Sequence, residues 1–257
     1  MTGDLGPLVR YEGVSIGYGA RVVLSGIDLA IPEGSFLGIV GPNGSGKTTF
    51  LKSVLGLLPP LAGRIERRAG RRLRVGYVPQ RQMLDPIYPL RVRDIVLMGL
   101  YREIGMLRWP RRVHHEKVGS ALEAAGILDL AGENYRDLTG GQQLRTQNAR
   151  ALVGDPELLV LDEPTNDMDL VGEKSIMDLV AELHDRKGRT VLLVSHMLHV
   201  VCRYVRELAL ISGGTFVCGP IDEIFTSERL SGVYGIPVRV GEVGGQRVVL
   251  AGGPGGG

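Results

Sequence analysis

The chain has 257 residues, 44% hydrophobic and 23% charged, with 30 Lys or Arg against 28 Asp or Glu. That length suits one large α/β domain or two small ones, and a formal charge of +2 is too mild to argue for a nucleic-acid partner by itself. The longest stretch free of Lys, Arg, Asp and Glu runs only from Leu208 to Ile221, short of the roughly 18–20 apolar residues of a membrane-spanning helix. Met1–Arg10 lacks the basic and apolar regions of a secretory signal. Cys202 and Cys218 have no CxxC spacing and are expected as plain thiols in a reducing cytoplasm.

In chain order, Arg21–Leu24 and Ile27–Ile31 read as short strands joined by a Ser-Gly turn. Phe36–Val40 is an uninterrupted apolar run, the pattern of a buried parallel strand. A glycine-rich turn follows, then a helix ending near Gly56 and Pro59. Arg64–Arg68 and Leu73–Val78 predict two strands across a basic Ala-Gly turn. The stretch Arg64–Arg74 holds six arginines and reads as a solvated hairpin face. Residues 91–137 show helical spacing without a strand pattern. They read as a separate helical subdomain. Leu158–Leu161 and Val191–Val194 are further buried strands, and residues 173–187 form an amphipathic helix. Gly213-Gly214 marks a hairpin between Leu208–Ile211 and Thr215–Val217. Residues 241–257 are expected to end a hairpin and run into a glycine-rich disordered tail.

The chemistry starts at Gly41-Pro42-Asn43-Gly44-Ser45-Gly46-Lys47-Thr48, followed by Thr49. Gly41 and Gly46 with four positions between them, then Lys and Thr, match the phosphate-binding P-loop. Glycines let backbone N–H groups surround a phosphate, and the following helix N-terminus adds its positive end. Lys47 would reach the β- and γ-phosphates and the Thr48 hydroxyl would ligate Mg2+. Asp162 closes the buried strand Leu158–Leu161 and is the expected Mg2+ partner, with Glu163 polarising the attacking water. His196 follows the strand Val191–Val194 and would hydrogen-bond the γ-phosphate. His114-His115 reads as a solvated face rather than a metal site.

Together these residues resemble the ATP-binding cassette family, the ATPase subunits of ABC transporters, over residues 8–235. The deciding segment is Leu138-Thr139-Gly140-Gly141-Gln142, similar to the family's signature motif. Thr139 and Gln142 also form a T-x-x-Q capping box opening a helix. The resemblance implies a single domain over 8–240: an α/β P-loop NTPase (RecA-like) core with a mostly parallel sheet, an N-terminal antiparallel β subdomain and an α-helical subdomain inserted over about 84–150. It implies that Tyr18 stacks on adenine, that Gln80 in Tyr-Val-Pro-Gln contacts Mg2+ and water, and that Asp169 is the interface aspartate. It implies a homodimer sandwiching two ATP, each site completed by the signature of the second chain. Partners would be an integral-membrane permease and, indirectly, an extracytoplasmic solute-binding protein, with no nucleic acid. The chain would sit on the cytoplasmic face of the inner membrane, with residues Met83–Tyr88 lining a groove for a permease helix. Val92–Tyr101, Val118–Leu130 and Arg229–Tyr234 are similar to ATPases of bacterial zinc, manganese or iron importers. Exporters, lipid transporters and regulatory proteins acting on nucleic acid or the ribosome share the motifs. Thr139 replaces the usual serine, while Leu144 and Asp167-Met168 are atypical.

Overall fold

A computed structural model describes residues 6–68, 73–79, 89–105, 107–166 and 168–252. Its elements begin with β1 (Val9–Tyr18), β2 (Arg21–Ile31), β3 (Phe36–Val40), α1 (Lys47–Val54), β4 (Ala62–Arg67) and β5 (Val75–Val78). Then come α2 (Val92–Met98), α3 (Tyr101–Ile104), α4 (Arg112–Ala124), α5 (Gly140–Leu152), β6 (Leu158–Asp162) and α6 (Leu170–Lys187). The chain continues through β7 (Thr190–Val194), α7 (Leu198–Tyr204), β8 (Glu207–Ser212), β9 (Thr215–Pro220), α8 (Ile221–Ile224) and α9 (Ser227–Tyr234). It closes with β10 (Val238–Val243) and β11 (Gln246–Ala251). Contacts divide the chain into two units, Met1–Leu73 with Thr190–Gly257, and Arg74–Arg189.

The first unit holds an antiparallel sheet in the order β2-β1-β4. It also holds parallel strands in the order β7-β3-β8, with β9 antiparallel beside β8. All five residues of β3 are buried, as its unbroken apolar run requires. The hairpin at Gly213-Gly214 forms as expected. Two aromatic contacts seat α1. Phe50 lies 5.5 Å from the Tyr11 ring on β1 and 5.1 Å from the Phe216 ring on β9, with the rings tilted by 30° and 33°, contacts that add to simple burial.

One expectation for this unit fails. Arg21–Leu24 and Ile27–Ile31 are a single strand, with Ser25-Gly26 inside it. Val14 pairs with Ile27 and Ile16 with Leu24, so β2 carries one residue more than β1 across this step. Gly26 has φ +62° and absorbs it as a bulge.

In the second unit β5 and β6 run parallel, with Val78 opposite Leu161. Val92, Val96, Leu100, Leu122 and Ile127 bury together as a helical core. α6 buries Ile176, Met177, Val180 and His184; of the face the sequence predicts, Ile176 and Val180 are buried while Leu179 and Leu183 are only half-buried. The two strands expected to pair across the basic turn do not form a hairpin: β4 pairs with β1 and β5 with β6. The Ala69-Gly70 turn lies outside the described residues. The solvated reading of His114 also fails. The residue is buried, and its Nδ1 accepts the Arg111 backbone N–H at 2.8 Å, capping α4. Among the described residues, no group of three His, Cys, Asp or Glu could hold a metal ion, and no helix is long and apolar enough to cross a membrane.

Both cysteines are free thiols. Burial, then the Glu207 carboxylate, pushes the Cys218 thiol up to about 12, and burial also raises Cys202. The thiolate is the nucleophile, so a raised value suppresses reaction up to that pH. At pH 8 only about one Cys218 in ten thousand would be ionised. Native protein is therefore expected to leave both thiols unalkylated by iodoacetamide, and urea-unfolded protein to lose both. Mass spectrometry checks this, and rapid native labelling of Cys218 would contradict it.

Candidate nucleotide site

The loop 41–46 leaves the C-terminal end of β3, where parallel sheets bind ligands. Gly46 caps α1 with φ +110°, a conformation that a side chain would strain. Gly41 is required by space: a Cβ there would stand 2.1 Å from the Ile211 carbonyl oxygen on β8. The Lys47 ammonium folds back over the loop and donates to the carbonyl oxygens of Gly41 and Pro42 at 2.7 and 3.0 Å. Ser45 Oγ is buried and has no hydrogen-bond partner. A cation held over the loop by two of its carbonyls, with an unsatisfied buried hydroxyl in the same loop, is chemistry for an anionic oxygen. The loop therefore fits a phosphate.

Tyr18 ends β1 with its ring about half exposed, so it is not a core tyrosine. Its hydroxyl accepts from Lys52 Nζ at 3.2 Å, and the same ammonium lies 5.4 Å from the ring centre. Hydrogen bonding to Thr49, ahead of the contribution of Lys52, holds the phenol below its usual value. Sequence reasoning passed over Lys52, although it is one of only five lysines and lies one residue beyond a helical turn from Lys47. His196 is exposed just past β7. β7 lies beside β3 with Val194 opposite Ile39, and Ser195 N–H donates to the Ile39 carbonyl at 3.2 Å. The parallel register thus carries His196 to the sheet edge from which the phosphate loop leaves.

In the second unit Asp162 is the last residue of β6 and is buried, as is Glu163. Glu163 has φ +54°, a left-handed backbone rare for a residue with a side chain. Such strain costs of order 1–3 kcal/mol and persists where the surroundings impose it. Asp162 lies close enough to add to the upward push that burial gives the Tyr77 phenol. Gln80, which follows β5, lies outside the described residues, as do Met83–Tyr88 and Asp167.

The signature segment opens α5. Thr139 Oγ1 accepts the Gln142 N–H at 3.4 Å and Gln142 Oε1 accepts the Thr139 N–H at 2.9 Å, the reciprocal capping box read from the sequence. A Cβ built on Gly140 or Gly141 would meet nothing within 4 Å. These glycines answer no packing need among the described residues, and the helix N-terminus between them stands open. Asp169 caps α6, its Oδ1 accepting the Gly172 N–H at 2.7 Å. A cavity of about 580 Å³ lies along β5 and the turn between α2 and α3, lined by Tyr77, Met98 and the arginines Arg74, Arg102 and Arg150. Burial lowers the Arg150 guanidinium from its usual value.

A phosphate-shaped glycine loop opening a helix at the C-terminal edge of parallel strands defines a P-loop nucleotide-binding protein. Residues 24–166 match the family described as ABC transporter, and the chain belongs to that family, as an ATP-hydrolysing subunit. It is 39% identical over 231 residues to the manganese transport system ATP-binding protein MntB of Bacillus subtilis (strain 168), covering 88% of this chain and 92% of that one. It is 41% identical over 194 residues to the zinc import ATP-binding protein ZnuC of Roseobacter denitrificans, covering 76% and 71%. An ABC transporter solved in an inward-facing conformation matches with a TM-score of 0.85 at 26% identity, covering 94% and 95%. The dimeric post-hydrolysis structure of the ATP-binding cassette MJ0796 bound to ADP and Pi matches with 0.71 at 25% identity, covering 83% and 98%.

Proposed function

We propose that this ATPase powers import of a divalent transition metal, manganese or zinc, through an integral-membrane permease on whose cytoplasmic face it sits. The metal reading rests on similarity to manganese and zinc transport subunits along most of the chain. A solute-binding protein outside the membrane would deliver the ion, and the permease would select it. The cavity along β5, with its three arginines, suits a permease segment carrying an acidic side chain.

Residue roles follow the chemistry. Loop 41–46 and Lys47 hold the β- and γ-phosphates, with Thr49 beside them and Tyr18 against adenine. Thr48 and Asp162 offer a hydroxyl and a carboxylate, the hard oxygen donors that Mg2+ takes together with water and phosphate. Gln80 completes that set. When bound, Mg2+ supplies charge neutralisation at the phosphate oxygens. Glu163 accepts a proton from the attacking water, and His196 donates to the γ-phosphate.

One observation carries the shared-site reading: the capped, open N-terminus of α5, with two glycines that no packing demands. Leu138–Gln142 would close on the nucleotide of a second copy, Asp169 lying at the contact, so that two chains sandwich two ATP.

The test is reconstitution of the chain with its permease and a solute-binding protein in proteoliposomes. ATP-dependent uptake of labelled manganese or zinc, with ATPase stimulated by the loaded binding protein, is the expected result. Uptake of neither ion, or outward transport, would overturn the proposal.

A further inference from the structure

The chain has a single tryptophan, Trp109, and it is 90% exposed; Leu107, two residues earlier, is 95% exposed. Both stand on the loop between α3 and α4. Apolar side chains this large and this bare have no packing role in their own chain. The base beneath them is firm. Ile104 and Val118 are buried, and Lys117 binds both carboxylate oxygens of Glu103 at 2.6 and 2.7 Å, tying α4 to α3. The tip is thus held out from a fixed hairpin of helices.

Charge around the tip is one-sided. Residues 101–117 contain five Lys or Arg and two Glu. Both glutamates are engaged, Glu103 by Lys117 and Glu116 by Arg112 at 2.8 Å. Among the described residues, Arg108 and Arg111 have no acidic partner, and both are exposed. Tyr101 and Val113, at the two feet of the loop, are also exposed.

From this arrangement we propose that the loop Leu107–Arg111 is a membrane-interface contact: Leu107 and Trp109 enter the headgroup boundary of an anionic bilayer while Arg108 and Arg111 pair with lipid phosphates. Tryptophan is the residue that settles at that depth, and arginines near an anionic leaflet are attracted to it. A protein partner would need a pocket shaped for a projecting Trp and acids placed for two arginines. A lipid surface needs only negative charge, the complement the loop shows. The inference is independent of the transported solute and of the permease.

Because Trp109 is the only tryptophan, its fluorescence reports this loop alone. Purified full-length chain is mixed with vesicles of phosphatidylcholine, or of phosphatidylcholine with phosphatidylglycerol. Emission is expected to move to shorter wavelength and the protein to pellet only with the anionic vesicles, with both effects reversed by high salt. Arg108→Glu with Arg111→Glu is expected to cut the pelleted fraction about tenfold, and Leu107→Asp to lower it as well. Both variants should keep the ATPase rate of the parent in vesicle-free solution, which reports intact folding. Unchanged emission in anionic vesicles, with or without pelleting, overturns the proposal. So does a shift seen only in vesicles that contain the permease, which would assign the loop to a protein partner.

Discussion

Glu163→Gln is expected to bind MgATP about as well as the parent and to hydrolyse it at least roughly 100-fold more slowly, the scale of removing a positioned proton acceptor. The glutamate is buried at the end of β6 on a left-handed backbone, φ +54°. The amide keeps the size of the side chain and its capacity to accept hydrogen bonds, so the local strain and packing remain. What is lost is the basicity with which Glu163 would draw a proton from water. With binding intact and the chemical step blocked, two chains joined across their nucleotides should stay joined. Light scattering of the variant in saturating MgATP is therefore expected to show a dimer, and phosphate release to fall. Hydrolysis at the parent rate would remove Glu163 from the role of base, and a strictly monomeric variant would refute sites shared between chains.

Lys47→Ala acts one step earlier. Its ammonium is already held over the loop by the carbonyls of Gly41 and Pro42, so little ordering remains when a phosphate arrives. Hydrogen bonds to charged groups contribute about 1.5–3 kcal/mol each. Losing two of them, at 1.4 kcal/mol per tenfold, weakens binding by roughly 100-fold or more. Titration with a fluorescent ATP analogue measures this directly. Unchanged affinity would mean that the loop is not the phosphate site.

The parts legible in the sequence are those in which local pattern and chemistry coincide. Phe36–Val40 is apolar at every position and is buried at every position. Thr139 and Gln142 stand three residues apart, and each bonds the backbone of the other. The failures are non-local. Nothing near Arg64 announces that its strand pairs with β1, or that Val75–Val78 pairs with β6 far along the chain. Ser25-Gly26 carries the residues of a turn, but the strand beside it turns the extra residue into a bulge. His114 looked solvated because charged residues surround it in sequence, while its burial and its cap on α4 depend on how the helix sits. The left-handed backbone of Glu163 has no signature in residue type; the sequence placed the carboxylate and could not show the conformation that holds it.

The pairing of β3 has a consequence for the order of assembly during synthesis. β3 is flanked by β7 and β8, and both lie more than 150 residues downstream. The oxygen that limits space at Gly41 belongs to Ile211 on β8. Until residues 190–212 have left the ribosome, β3 has neither of its neighbours and the phosphate loop has nothing to press against. Contacts this distant form late, because the intervening chain must first be brought together. A nascent cassette can therefore complete its helical subdomain, whose contacts are near in sequence, well before it can grip a nucleotide. The energy-consuming part of the protein comes last, when the chain that must control it is already made.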